Sequence, residues 1–527
     1  MRSYEAHVSA LLAPEQGQSI PRRPTLRSSA LFPLALEPGV NARLLFMGYW
    51  QVKRQIEQLT LILTLRNSHG DTLLRQQRTI ADSKSYSIDC RELLTAIDHH
   101  SLHFNGSLEV EFFSLEDLVF PFPAVVINYY GEEFSSVVHT AQRVYNDYED
   151  YSVNQGSQAH ESGFNIYADE QREPFLALVN GPQAIEAPSM HLQFFNSRAE
   201  VLDHWLTIEK LRPYECKILY PARERDLASF LGETVGTCKA HFTTGWSFPR
   251  LLVGTRWKTP PRVSITHTYY DCSDKQLESD YWPPATEEWV DASLLLPLDY
   301  STEKYTYAYL YPIYSPSEVT IDVLLYTLDG TLLAEIKDAA LLRETQQHQQ
   351  RLDLGNLAEK HTNRKEGTLG ARLIARPIGS RPLPARIKIG VDLGTHEEGM
   401  PCNICTNLQP WNAQWTKKPS SFRWAPLLAD QPGASLWITN SAPRKHYNQT
   451  AKGHLSFYRE QDLTSLQRPI NLAPHGTKIL EIDQDEELKA FFDQQPGWCT
   501  IETDNPYVNS FYFTRNPSGW VGGDHGF

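Results

Sequence analysis

Apolar residues in this chain gather in short, strand-length runs set off by Gly, Asp and Pro, with no long helical stripe between them. Leu59–Leu65 and Leu73–Ile80 flank the segment Ser68-His-Gly-Asp-Thr72. Gly and Asp there supply tight-turn conformations, so the pattern predicts two strands joined by a turn. Thr327-Leu-Asp-Gly-Thr-Leu-Leu333 repeats the signature, with Thr331 lying 259 residues after Thr72. Helical spacing is confined to brief segments. Arg225–Leu231 and Glu486–Phe492 put apolar residues at i, i+3 and i+4, and acidic residues open the second, where the macrodipole favours them.

The runs recur along the chain. Leu211–Cys238 aligns without a gap on Leu472–Cys499, with 9 identities in 28 positions: Leu211, Pro213, Lys217, Ile218, Leu219, Leu227, Phe230, Gly236 and Cys238 each meet their own kind 261 residues later. The first and third quarters match through the turn signature, and the second and fourth through this alignment, so the order is A-B-A-B. Two ladders tie A to B. Gly106, Gly236, Gly367 and Gly497 stand 130, 131 and 130 residues apart; His139, His267, His396 and His525 stand 128, 129 and 129 apart.

One unit reads as a strand pair, a third short strand such as Lys217–Tyr220, a brief helix closed by the ladder glycine, and two further strands. The expected fold is all-β with short helices: four tandem β-sandwich-like units, A1 over 1–150, B1 over 151–280, A2 over 281–410 and B2 over 411–527. Strand order stays open at this level. The joints Tyr145–Glu173, Ser273–Pro297 and Cys405–Pro432 are aromatic and long for loops, and are expected to be ordered.

Composition supports this reading. With 25 Tyr, 22 Phe and 12 Trp against 4 Met, the chain favours residues suited to pleated, half-buried surfaces. The formal charge is −14, from 49 basic and 63 acidic residues. That balance argues against nucleic acid as a partner. The apolar runs fall far below the ~20 residues of a helical membrane span, so no span is expected. Seven Cys with no readable export signal point to a cytoplasmic protein without a disulfide framework.

Candidate chemistry is sparse. His396, Cys402 and Cys405 have donor types that suit zinc, against a bland alternative of a turn with two buried thiols. The run His396-Glu-Glu-Gly-Met-Pro-Cys402 carries both halves of a zinc-deaminase signature, but crowded together where that chemistry needs them on separate helices. Asp524 and His525, among the glycines of Ser518–Phe527, form a candidate acid–base couple. The repeated histidines are expected to be strand-end structural residues lying far apart. Trp282, Trp289, Trp411 and Trp415 are candidate ligand-binding residues at aromatic seams, with plugging of the seams as the plainer reading. Cys238 and Cys499, at matching positions, are expected in the core. Phosphate loops, nucleophile elbows, H-E-x-x-H and EF-hand motifs are absent from the sequence.

The functional expectation is a non-catalytic binding or scaffold protein with a ligand, a protein or a glycan at inter-unit seams. Homo-oligomers are compatible with it, and no cofactor is expected unless zinc binds. The alternative is an enzyme acting on a carbohydrate or small polar substrate, its site in one diverged unit.

Overall fold

The computed structural model describes residues 24–146, 158–232, 234–270, 289–311, 318–343, 349–379, 387–396, 399–412, 421–441 and 447–527. For 158–163, 269–270, 289–291 and 409–412 it describes the backbone alone.

Each quarter of the chain lays down eight principal strands. In A1 they are Arg27–Leu36, Asn41–Met47, Leu59–Asn67, Thr72–Ile80, Ser85–Asp89, Phe104–Phe113, Val125–Tyr130 and Ser135–Val138. In B1 they are Gln158–Ile166, Arg172–Val179, Ser189–Phe195, Val201–Thr207, Cys216–Leu219, Gly236–Thr243, Leu252–Trp257 and Arg262–His267. A2 has Trp289–Tyr300, Lys304–Leu310, Val319–Tyr326, Leu332–Leu342, Gln350–Asp353, Gly367–Pro377, Ile387–Thr395 and Cys402–Asn412. B2 has Ser421–Leu427, Ser435–Asn440, Ala451–Tyr458, Ser465–Leu472, Thr477–Glu481, Gly497–Thr503, Val508–Arg515 and Val521–His525.

Numbered within each quarter, the strands form two sheets in the orders 1-6-3-4 and 5-2-7-8, and this holds in all four. In A2 the first and eighth strands also pair, Ala292 with Pro410 and Ser293 with Gln409, joining its two sheets into one of eight strands. In B1 a short strand, Tyr269–Tyr270, adds to the first sheet beyond Gln158–Ile166. The fold is therefore the expected all-β duplication of sandwich units, and the strand order left open by the sequence is the same four times.

The core of B1 shows the layering. Phe164, Leu192, Phe194, Cys238 and Ala240 from one sheet meet Leu176, Leu178 and Val253 from the other, with Leu227 and Leu231 of the helix alongside. Alternate residues of each strand thus face inward. A helix follows the fifth strand in every quarter: Cys90–Thr95, Leu227–Leu231, Leu354–Thr362 and Glu486–Phe492. All four are N-capped by aspartate. Asp89, Asp226, Asp353 and Asp485 accept from the backbone N–H groups of Arg91, Ser229, Asn356 and Leu488 at 2.6, 3.0, 2.9 and 3.1 Å, filling donors that a helix start leaves unpaired.

The ladder glycines sit in the sixth strand beneath that helix. A Cβ on Gly497 would lie 2.2 Å from Phe492 and 2.6 Å from the Tyr458 carbonyl; on Gly236, 2.4 Å from Leu231 and 2.7 Å from the Phe195 carbonyl. Gly106 is equally confined by the Arg66 carbonyl at 2.0 Å, whereas Gly367 meets nothing nearer than Tyr300 at 3.7 Å.

The first and second strands and the eighth were absent from the strand pattern read in the sequence. Arg27–Leu36 is buried at eight of its ten positions, so it lacks the inside–outside alternation that marks a half-exposed strand. Gln158–Ile166 and Ser421–Leu427 fall within the aromatic joints and Trp289–Tyr300 begins in one; these are the opening strands of the next sandwich.

The chain divides into two compact units: Met1–Ser83, Ser87–Glu132 and Val138–Tyr270; and Lys84–Tyr86, Glu133–Val137 and Asp271–Phe527. Among the described residues no helix is long and apolar enough to cross a membrane.

Candidate functional site

Cys402 and Cys405 lie on one strand in unbroken register, opposite Leu393 and Gly390. Three residues of extended chain turn side chains to opposite faces, so the strand does not present both sulfurs to one ion. Both thiols are buried, and burial pushes Cys402 up to about 12. His396 is exposed beyond the seventh strand of A2; its N–H donates to the Glu303 carbonyl at 3.0 Å and its ring lies 5.2 Å from that of Tyr305.

The histidine ladder is regular in number but not in place. His267 and His525 end eighth strands and His139 follows one, while His396 follows a seventh. In both B sandwiches the Nδ1 faces the next residue's carbonyl at 2.8 Å, Thr268 for His267 and Gly526 for His525. The expectation that the copies lie far apart fails for one pair, since the His139 and His267 rings meet edge to face with centroids 5.0 Å apart. A1 and B1 dock with these strand ends together.

Asp524 and His525 are on a strand, not a glycine loop. The carboxylate is buried and accepts the His525 backbone N–H at 2.8 Å; carboxylate and imidazole lie within 4.8 Å of each other. Gly523 is small because a Cβ would lie 2.6 Å from Phe513, which makes its presence a packing matter. Trp282 and Trp415 lie outside the described residues. Trp289 and Trp411 belong to the paired first and eighth strands of A2, and their side chains are likewise outside the description. Cys238 joins the B1 core as expected, and burial raises its thiol and that of Cys499 well above the usual range.

A concavity lies elsewhere, between A1 and B1. The docking that creates it occurs in both halves. Gly70 and Gly330, both at φ +87°, end third-strand turns whose backbone lies so close to B that a Cβ would stand 2.2 Å from the Pro213 carbonyl and 2.1 Å from that of Pro474. The Cys216 N–H donates to Ser68 at 2.9 Å, and the Thr477 N–H to Leu328 at 2.9 Å. Arg66 stacks on Tyr214 at 3.9 Å; Tyr326 stacks on His475 at 4.6 Å. Arg256 binds Glu37, and Arg515 binds Asp299 at 2.9 Å.

What differs is the filling. Ala177 pairs with Ile218 and Leu252, while Trp437 pairs with Ile479 and Phe511. Ile218 and Ile479 are one of the nine identities, so Ala177 corresponds to Trp437 and Leu252 to Phe511. By the same register Gly254 corresponds to Phe513. In the second half these positions hold three aromatic rings, all buried. In the first half Ala177 and Leu252 line a cleft of about 220 Å³, whose walls also include Leu36, Tyr129, Phe175, Tyr220 and Val263, with His103 and Asn105.

One end of the cleft is charged but balanced. Arg256 forks onto Glu37 with two contacts of 2.7 Å and reaches Glu173 at 3.0 Å; Arg223 forks onto Glu173 at 2.7 and 3.0 Å. Burial acts to raise the Glu173 carboxyl, but the two guanidiniums outweigh it and hold it below the usual range. Arg223 lies 3.8 Å over the Tyr220 ring, whose phenol burial pushes up. The Tyr129 hydroxyl donates to the Pro33 carbonyl at 3.0 Å and accepts from the Ala35 N–H at 3.1 Å, so the wall is anchored to the first strand of A1. Sequence reading missed these residues because they come from seven strands of two sandwiches. The match of Ala177 with Trp437 lies outside the gapless 211–238 alignment, so the sequence repeat did not expose it.

No protein family matches the sequence, and no curated protein does. Among solved structures, a tetra-tandem repeat in the extending region of a large adhesion protein overlaps 89% of this chain and 90% of its own, at 8% identity and TM-score 0.10. The chicken CNTN1 FN1–FN3 domains overlap 73% of this chain and all of theirs, at 8% identity and TM-score 0.09. Likenesses this slight carry no argument.

Proposed function

We propose that this chain is a non-catalytic binding or scaffold protein whose reused element is the A–B sandwich pair, with a ligand held in the A1–B1 cleft. The observation that carries the reading is the contrast between halves: the same docking holds the buried rings of Trp437, Phe511 and Phe513 in one and a cleft lined by Ala177 and Leu252 in the other. The two copies share the frame and differ in what fills it, as expected where an inter-domain cavity is used for recognition. The charged groups at the cleft support binding over catalysis: Glu37 and the adjoining Glu173 are engaged by Arg223 and Arg256. The net charge of −14 disfavours nucleic acid as the partner, and buried thiols fit a cytoplasmic setting.

Native mass spectrometry of the untagged, gently purified protein tests this, since it reports subunit count and bound mass together. The expected result is a stoichiometric organic mass that disappears from an Ala177→Leu variant. A bound mass indifferent to that substitution, but lost with Asp524→Asn, would instead place the site in the last sandwich and favour the enzyme reading.

A further inference from the structure

The second half shows what fills this cleft when the chain supplies the filling itself. Trp437 is 1% exposed, edge to face with Phe513 at 5.7 Å, and the Arg515 guanidinium lies 5.9 Å over its ring. Arg515 is in turn held by Asp299. In the first half the corresponding arginine, Arg256, is held by Glu37, and the indole is missing. We propose that the A1–B1 cleft binds a free, uncharged, planar aromatic compound of indole size, which takes the place that Trp437 takes in the other half. The inference rests on the binding reading above and names the ligand class for it.

Three features of the cleft select that class. Its size comes first: apolar cavities of ~150 Å³ accept benzene, so about 220 Å³ admits one fused ring pair but falls short of the ~300 Å³ at which drug-sized pockets begin. The walls come second. Phe175 and Tyr220, a tilted pair with ring centroids 6.3 Å apart, stand where the other half has Ser435 and Glu481, and so give the cleft one aromatic wall for a flat guest. Charge comes third. Arg223 and Arg256 are matched by Glu37 and Glu173, so a carboxylate or ammonium on the guest would meet a like charge without a spare partner. A guanidinium already neutralised still presents its face to a π system.

The test uses 5-fluoroindole followed by fluorine NMR with the full chain. Wild-type protein is expected to bind one equivalent. Ala177→Trp is expected to weaken binding at least tenfold, and Ala177→Leu serves if the tryptophan variant fails to fold. Trp437→Ala opens the second cleft and is expected to bind two equivalents, with its melting temperature rising on addition of indole. Wild-type and Ala177 variants binding equally would overturn the proposal, as would a Trp437→Ala protein that indole does not stabilise. If fluoroindole fails while a co-purifying mass is lost in Ala177→Leu, the aromatic assignment falls and the binding reading survives. If neither depends on residue 177, both fall.

Discussion

Ala177 and Trp437 occupy the same place in two copies of one fold, each opposite an isoleucine of the fifth strand, Ile218 or Ile479. A methyl group in one copy and a buried indole in the other set the difference between an open seam and a closed one. Trp437→Ala is expected to lower stability by about 3–5 kcal/mol, the usual cost of emptying a large core site. Ala177→Leu is expected to be neutral or to stabilise by about 0.5–2 kcal/mol, because it fills space already present. Urea midpoints measure both; a loss above about 1 kcal/mol for Ala177→Leu would mean the cleft cannot take added atoms.

Glycines of the 130-residue ladder should differ in what they tolerate. Gly497→Ala forces a Cβ against Phe492 and the Tyr458 carbonyl and is expected to cost about 1–3 kcal/mol. Gly367→Ala, whose nearest neighbour is at ordinary contact distance, should stay within about 0.5 kcal/mol. Equal costs would show that the glycines are kept for backbone conformation instead of helix packing.

The clamp between A1 and B1 can be weighed directly. Arg256 and Glu37 side chains are each 19% exposed and meet in a two-point contact. A double-mutant cycle of Arg256→Met and Glu37→Gln is expected to give a coupling of about 0.5–3 kcal/mol. A value near zero would place the docking energy in the apolar contacts of Leu31, Val144, Val179 and Cys216.

Acid should weaken the last sandwich in part through Asp485. Its hydrogen bond from Arg468 holds the carboxyl down at about 2, against burial. The folded value lies below that of the unfolded chain, so this contribution is complete above about pH 4 and is lost as the pH falls toward 2. The difference in melting temperature between wild type and Asp485→Asn should therefore shrink over that interval. A difference that stays constant from pH 5 to 2 would assign the residue a capping role without an ionic one.

Thiol mapping checks the reading of the cysteines. Cys238, Cys402 and Cys499 are buried, with thiols raised by desolvation, so each should resist disulfide reagents at pH 8 until urea unfolds the chain. Rapid labelling of Cys402 in the native protein would reopen it as a metal or redox residue.

The duplication was legible in the sequence because it rests on local requirements. Pro213, Ile218, Leu227, Gly236 and Cys238 are each needed where a strand, a helix contact or a turn constrains one position, and copying preserved them. Leu59–Asn67 announced itself as an apolar run beside a turn signature, and strands such as Val201–Thr207 carry an inside–outside period. Strands buried on both faces, Arg27–Leu36 above all, carry no such period, and so the eight-strand order was out of reach. The four aspartate caps were present in the sequence but unremarkable until each was seen at a helix start. The cleft was decided by tertiary structure alone. Its walls are brought together by docking two sandwiches, and its emptiness depends on a ring that is absent at Ala177, which only the strand register identifies as the partner of Trp437.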